Sequence, residues 1–184
     1  MARNPGHTFD TLDYLARGTA RQRELYGLIR RSGVFETLAE FSPVLAGTFP
    51  LSIEVEGSDL DVLCHAPEPV RLQETLERCF SRWEGYACER LRIKGVETVV
   101  GRFRFEGMVF EVFGQPVPVR RQNGYRHMVV EEMLLRRKGE EFRHRIVARK
   151  RAGEKTELAF AAELSLEGDP YEALLELEKE LKDE

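Results

Sequence analysis

Hydrophobic residues in this chain change their spacing twice, and those two changes confine every β-strand to one central stretch. Before residue 42 the apolar positions recur at helical intervals. Leu25, Leu28 and Ile29 predict a helix over Thr19 to Arg31 that stops at Ser32-Gly33, and Val34 to Phe41 reads as a second, short one broken by Ser42-Pro43. Val44-Leu45-Ala46 is then a short buried strand ending at Gly47-Thr48. A loop, Phe49 to Ser58, leads to a strand over Asp59 to Cys64, and Val70 to Trp83 is an amphipathic helix through Leu72, Leu76, Cys79, Phe80 and Trp83. The period next falls to two: Tyr86 to Ile93, Glu97 to Phe105 and Met108 to Phe113 read as antiparallel strands, the last two joined by a tight turn at Glu106-Gly107.

After a proline-punctuated linker, Gln115 to Arg121, everything returns to helical spacing. Tyr125 to Lys138 ends at Gly139, Glu140 to Arg151 and Thr156 to Leu166 follow, and Asp169-Pro170 caps and opens a last helix. The pattern predicts an α/β (α+β) fold, a small mixed sheet flanked by helices. It divides the chain into a core over 1–121 and a C-terminal helical part over 122–184.

Charge and cysteine usage narrow the function classes. The formal net charge is -4, whereas a general nucleic-acid binder carries a basic surface, so general DNA binding is not expected. No run approaches the ~18 apolar residues of a membrane span, and the polar opening Met1 to Asp10 lacks the apolar core of a secretory signal. Cys64, Cys79 and Cys88 are odd in number, match no metal spacing and sit among apolar neighbours, so they are expected as reduced core residues of a cytoplasmic protein.

The chemistry concentrates in Gly47-Thr48 followed by Ser58-Asp59-Leu60-Asp61-Val62. Carboxylates at i and i+2 of a strand point the same way and can share hard divalent cations. An open pair of this kind suits Mg2+ or Mn2+, which keep waters and substrate phosphates in their shells. A third acid on a neighbouring strand would complete a two-metal site. Glu111 is the candidate: it stands alone among Met108, Val109, Phe110, Val112 and Phe113, and a charge there is costly to bury unless it is paired or metal-bound. An ion pair with an arginine is the competing account of Glu111. Gly47 allows backbone N–H groups to approach an anion, and Thr48 adds a hydroxyl.

This combination resembles the polymerase-beta-type nucleotidyltransferase superfamily, which pairs a Gly-Ser turn with an Asp-x-Asp strand and a later third acid. Together with Gly47-Thr48-Phe49-Pro50-Leu51, Phe110-Glu111-Val112-Phe113-Gly114-Gln115 and Gln122-Asn123-Gly124-Tyr125-Arg126-His127-Met128, it looks like a bacterial family of unknown function placed in that superfamily. The resemblance implies a nucleotidyltransferase-like fold and a metal-dependent transfer of a nucleotidyl group from a nucleoside triphosphate. The acceptor would be a small molecule, an RNA end or a protein. It implies Asp59, Asp61 and Glu111 as metal-binding catalytic residues, and Gly47, Thr48, Ser58 and Arg126 as nucleotide contacts. His127 is the candidate for acid–base or acceptor-positioning work.

Two features depart from the superfamily pattern. Thr48 replaces the usual serine but keeps a hydroxyl. Glu54 and Glu56 follow in a loop where many active members carry basic or small residues, and acids facing a triphosphate would repel it. The alternative is therefore a catalytically inactive module of the same fold that binds a nucleotide or a protein. Arg102 and Arg104 alternate along one strand, as an exposed face or as one wall of a phosphate groove. Leu174, Leu175, Leu177 and Leu181 give the last helix an apolar stripe, for internal packing or for a partner.

Overall fold

The computed structural model describes residues 9–183, so the polar opening stretch through residue 8 lies outside the described residues. Five strands form one mixed sheet: β1 (Val44–Ala46), β2 (Leu60–His65), β3 (Glu84–Ile93), β4 (Val96–Phe105) and β5 (Met108–Gln115), in the spatial order β1-β2-β5-β4-β3. Only the β2–β5 pairing is parallel; the other three are antiparallel. The α/β class read from the sequence is the class observed.

Three short segments precede the sheet: α1 (Asp13–Ala16), α2 (Ala20–Ser32) and α3 (Val34–Thr37). Thr19 and Gln22 form a reciprocal capping box that starts α2. The Gln22 side-chain amide then donates to the Phe49 and Pro50 carbonyls at 3.0 and 3.2 Å, fixing the loop after Gly47-Thr48 against the helix start. The expected single helix over Val34 to Phe41 divides into α3 and a short 3-10 turn, Ala39–Phe41, which ends where Ser42 takes a left-handed conformation.

The sheet packs helices on both faces. On one face Leu60, Val62, Phe103, Phe110 and Val112 meet α4 (Pro69–Phe80) and α2, with Phe80, Phe103 and Phe110 stacked at 4.5 and 5.6 Å between centroids. The other face carries Ala46, Leu63 and Phe113, which meet the C-terminal helices α5 (Asn123–Arg151), α6 (Thr156–Leu164) and α7 (Pro170–Asp183). Gly139, at φ 77 and ψ -169, breaks α5 where the sequence places the boundary between two helices. Leu174 and Leu181 of α7 are buried in this second core, so the leucine stripe packs internally. Asp169 caps α7 through its side chain, accepting from the amides of Tyr171 and Glu172. Cys64 is buried as expected and Cys88 half-buried, but Cys79 is exposed: the α4 face that buries Leu72, Leu76 and Phe80 does not include it.

Candidate active site

Strand register builds the site. Ala46 pairs with Asp61, Asp61 with Glu111, Glu111 with Arg102 and Arg102 with Ala87, a single row across all five strands. Paired residues on neighbouring strands project to the same face, and adjacent strands lie ~4.8 Å apart, within reach of carboxylates sharing one ion. Asp59 lies one residue before β2, two positions from Asp61, and reaches the same face. The expected strand over Asp59 to Cys64 is thus shifted by one residue, and Asp59 belongs to the end of the loop.

A cavity of about 640 Å3 opens on this face. Gly47, Thr48, Ser58, Asp59, Asp61, Glu111 and His127 all line it. Gly47 has φ 72, and a Cβ there would sit 2.0 Å from Asp61 Oδ2, so this position needs glycine both for its backbone and for the carboxylate packed on it. The Thr48 carbonyl accepts from the amides of Leu51 and Ile53, which closes the turn. Ser58 closes the opposite end of the loop: its hydroxyl accepts from the Val55 amide at 3.0 Å, and its own amide donates to the Val55 carbonyl.

Arg126 is not in the cavity. Its guanidinium is paired with Glu178 of α7 at 2.6 Å and also donates to Asn123, because the first turn of α5 that carries it faces α7 at that position. His127, one residue on, is buried and lines the cavity. Its Nε2 lies 2.8 Å from the Tyr171 carbonyl, which can only accept, so Nε2 carries a proton and Nδ1 faces Glu157 at 3.9 Å.

The electrostatics of the row are uneven. Arg102 donates to Asp59 Oδ2 at 2.5 Å and stands 3.7 Å from Glu111 Oε2, so one exposed guanidinium serves the two outer carboxylates. Asp61 makes no hydrogen bond or ion pair to its carboxylate among the described residues. Burial, then Glu111, then Asp59 push its pKa up to about 7. As the side chains stand, no three His, Cys, Asp or Glu groups among the described residues close on one point. The donor set fits a hard divalent cation in kind. Three carboxylates line one cavity on one face, and the innermost has no cation paired with it.

Several functional groups come from elements whose role the motifs did not reveal. Lys150, Glu131 and Glu157, from α5 and α6, line the helical wall. The Lys150 ammonium donates to Thr156 Oγ1 at 3.0 Å; burial holds its pKa down, opposed by Glu131, Glu157, Asp61 and Glu54. Glu131 is 3% exposed, and burial pushes its carboxyl up to about 8, with Glu157 adding to the effect. A periodic signal for both was present. Lys150 continues the buried series Phe142, Ile146, and Glu131 falls between Met128 and Leu135 on the buried side of α5. Arg102 follows from the hairpin: counting back from the Glu106-Gly107 turn sets it opposite Glu111.

The chain belongs to the family described as a domain of unknown function (DUF4269), whose profile matches residues 27–177. No curated protein matches it. Among solved structures, the polymerase core of TRAMP, an RNA surveillance complex, superposes at TM-score 0.47 and 13% identity, over 88% of this chain and 51% of that one. The GLD-2/RNP-8 complex superposes at TM-score 0.47 and 11% identity, over 92% and 63%. The chain thus spans between half and two thirds of those chains. Among the described residues no helix is long and apolar enough to cross a membrane.

Proposed function

We propose that this chain is a metal-dependent nucleotidyltransferase of the polymerase-beta type, which passes a nucleotidyl group from a nucleoside triphosphate to an acceptor. The observation that carries this reading is the register row joining Asp61 to Glu111 beside the Gly47-Thr48 turn, with Asp59 lining the same cavity. Asp59, Asp61 and Glu111 are the residues that would hold Mg2+ or Mn2+. Bound there, the cation would neutralise the phosphates and relieve the repulsion among the three acids. Gly47 and Thr48 bring backbone amides and a hydroxyl to the phosphates, and Ser58 holds the loop that carries Asp59. Lys150 adds a cation on the opposite wall. Arg126 has no part in this reading, since Glu178 already engages it.

In the reaction the acceptor hydroxyl attacks the α-phosphorus, the bond to the β-phosphate oxygen breaks, and pyrophosphate leaves. The hydroxyl proton passes to a carboxylate of the row. Titration calorimetry with a non-hydrolysable triphosphate and Mg2+ tests the assignment. Asp59→Ala/Asp61→Ala should weaken Mg2+-dependent binding by roughly a hundredfold, the loss of about two charge-assisted contacts at ~1.5 kcal/mol each. Unchanged binding in the double variant sinks the reading.

One observation favours a second reading. Arg102 already supplies positive charge to Asp59 and Glu111, and Glu56 lines the phosphate side of the cavity. In a chain where Arg102 never yields, the fold would bind a nucleotide without transfer. Nucleotide binding with no pyrophosphate release across a broad acceptor screen selects this second reading.

A further inference from the structure

The cavity is far more acidic than a metal site requires. Beyond the three acids of the sheet, its helical wall adds Glu131, Glu154 and Glu157, against Lys150 and Lys155. Glu154 is held by Arg149 at 3.0 Å and so faces the cavity with its charge already matched. Glu131 and Glu157 differ. Neither carboxylate has a hydrogen bond among the described residues, and the nearest partner of Glu157 is the ring of His127 at 3.9 Å. Glu131 is also more than nine-tenths buried, yet it lines the cavity. Its oxygens open onto the cavity with no protein donor on them, so a donor carried by a ligand can reach acceptors that the fold leaves unused.

Lys150 lies among these acids, but a triphosphate entering from the Gly47-Thr48 side would compete for it. Its charge is set against Asp61 and Glu54 as well as against Glu131 and Glu157. Once phosphates draw on that one ammonium, Glu157 is the wall carboxylate left without a matching cation, and a cation arriving there favours ionisation of Glu131 beside it. Tyr171 lines the same wall, its carbonyl accepting from His127 Nε2.

We propose that the acceptor carries, besides the hydroxyl it presents to the α-phosphorus, a cationic amine held by Glu131 and Glu157 on the helical wall, opposite the carboxylate row. This rests on the nucleotidyltransferase reading and names the acceptor class that reading leaves open. Burial favours the protonated form of Glu131, so the contact to Glu157 is the charge-assisted one, and an ammonium bound there draws the proton off Glu131 to gain the second. An anionic acceptor finds no comparable wall here. The basic residues Arg21, Arg104 and Arg151 line an adjoining cavity of about 920 Å3, which shares the Val55–Asp59 loop and Lys150 with this one.

The full chain, loaded with Mg2+ and a non-hydrolysable triphosphate, is titrated at physiological salt with spermidine, with neutral glycerol, and with glycerol 3-phosphate. Spermidine should bind and the other two should not. Glu131→Gln and Glu157→Gln should each weaken spermidine by about tenfold or more, with triphosphate binding shifted by less than about threefold. If Glu131→Gln fails to fold, the half-exposed position makes Glu157→Gln the deciding variant. Equal spermidine affinity in wild type and Glu157→Gln overturns the proposal, since the ligand is then responding to net charge alone. Tighter binding of glycerol 3-phosphate overturns it in favour of an anionic acceptor. The two ideas fail separately: spermidine binding through Glu157 with no triphosphate bound removes the transferase reading and leaves the amine site. Triphosphate binding through Asp59 and Asp61 with no amine effect does the reverse.

Discussion

Asp61 and Arg102 occupy the same row of the sheet and experience opposite sides of one imbalance. Asp61 crowds against Glu111 and Asp59 with no cation in hand, whereas Arg102 divides its guanidinium between those two neighbours. Arg102 is half-exposed, so its pairs add at most ~1 kcal/mol to the fold. Its larger effect falls on any cation that must enter among the acids. Arg102→Ala should therefore tighten Mn2+ binding to the nucleotide-free protein by about threefold or more, the effect of removing one charge at roughly 4 Å under solvent screening. It should lower the metal-free melting temperature only slightly. Weaker Mn2+ binding in the variant, measured by calorimetry, would mean that Arg102 holds the acids in place for the ion instead of competing with it. The acids themselves were legible because an i, i+2 pair on a strand has one geometric meaning. The arginine's role was not, since alternation along β4 fits an exposed face equally well until the hairpin register is counted.

The elements were read with few displacements. Strong periodicity located β4, β5 and the two halves of α5, while ends moved: the helix expected through Trp83 stops at Phe80, β3 begins two residues early at Glu84, and Val34 to Phe41 divides at Leu38. Arg126, expected at the nucleotide, pairs with Glu178 and lies outside the cavity lining that includes its neighbour His127, since adjacent residues on a helix differ by about 100° in direction. We propose that the functional boundary follows the linker before α5, with residues 1–121 supplying the carboxylates and 122–184 the facing wall. The packing of α7 then matters to the site as well as to the fold. Leu174 is fully buried against the C-terminal core. Leu174→Ala should cost ~2–5 kcal/mol in urea unfolding. A loss below ~1 kcal/mol would mean that α7 docks loosely and does not fix Tyr171 or His127.

For the molecule as a whole, the acids that make the site also tax its stability. The Glu131 carboxyl, ordinarily near 4.5, is held up to about 8 in the fold, and that of Asp61, ordinarily near 3.8, up to about 7. The unfolded chain releases these protons first, so it binds fewer protons than the native state across that interval. Stability from Asp61 therefore falls as pH rises from about 3.8 to about 7, and that from Glu131 from about 4.5 to about 8, each levelling off above. Glu131→Gln removes one contribution. The melting temperature of the metal-free variant should decline less steeply than wild type between those limits, with the variant gaining most at the alkaline end. Parallel curves would show that Glu131 ionises as freely in the fold as outside it.

The account depends on Asp59, Asp61 and Glu111 converging on a shared cation. A crystal grown with Mn2+ and a non-hydrolysable triphosphate, with data collected at the manganese edge, reads this out directly. The predicted result is anomalous density bridging Asp61 and Glu111 next to the triphosphate, with Arg102 displaced from Asp59. Triphosphate bound elsewhere, or no manganese on these acids while Arg102 still joins Asp59 to Glu111, would contradict it.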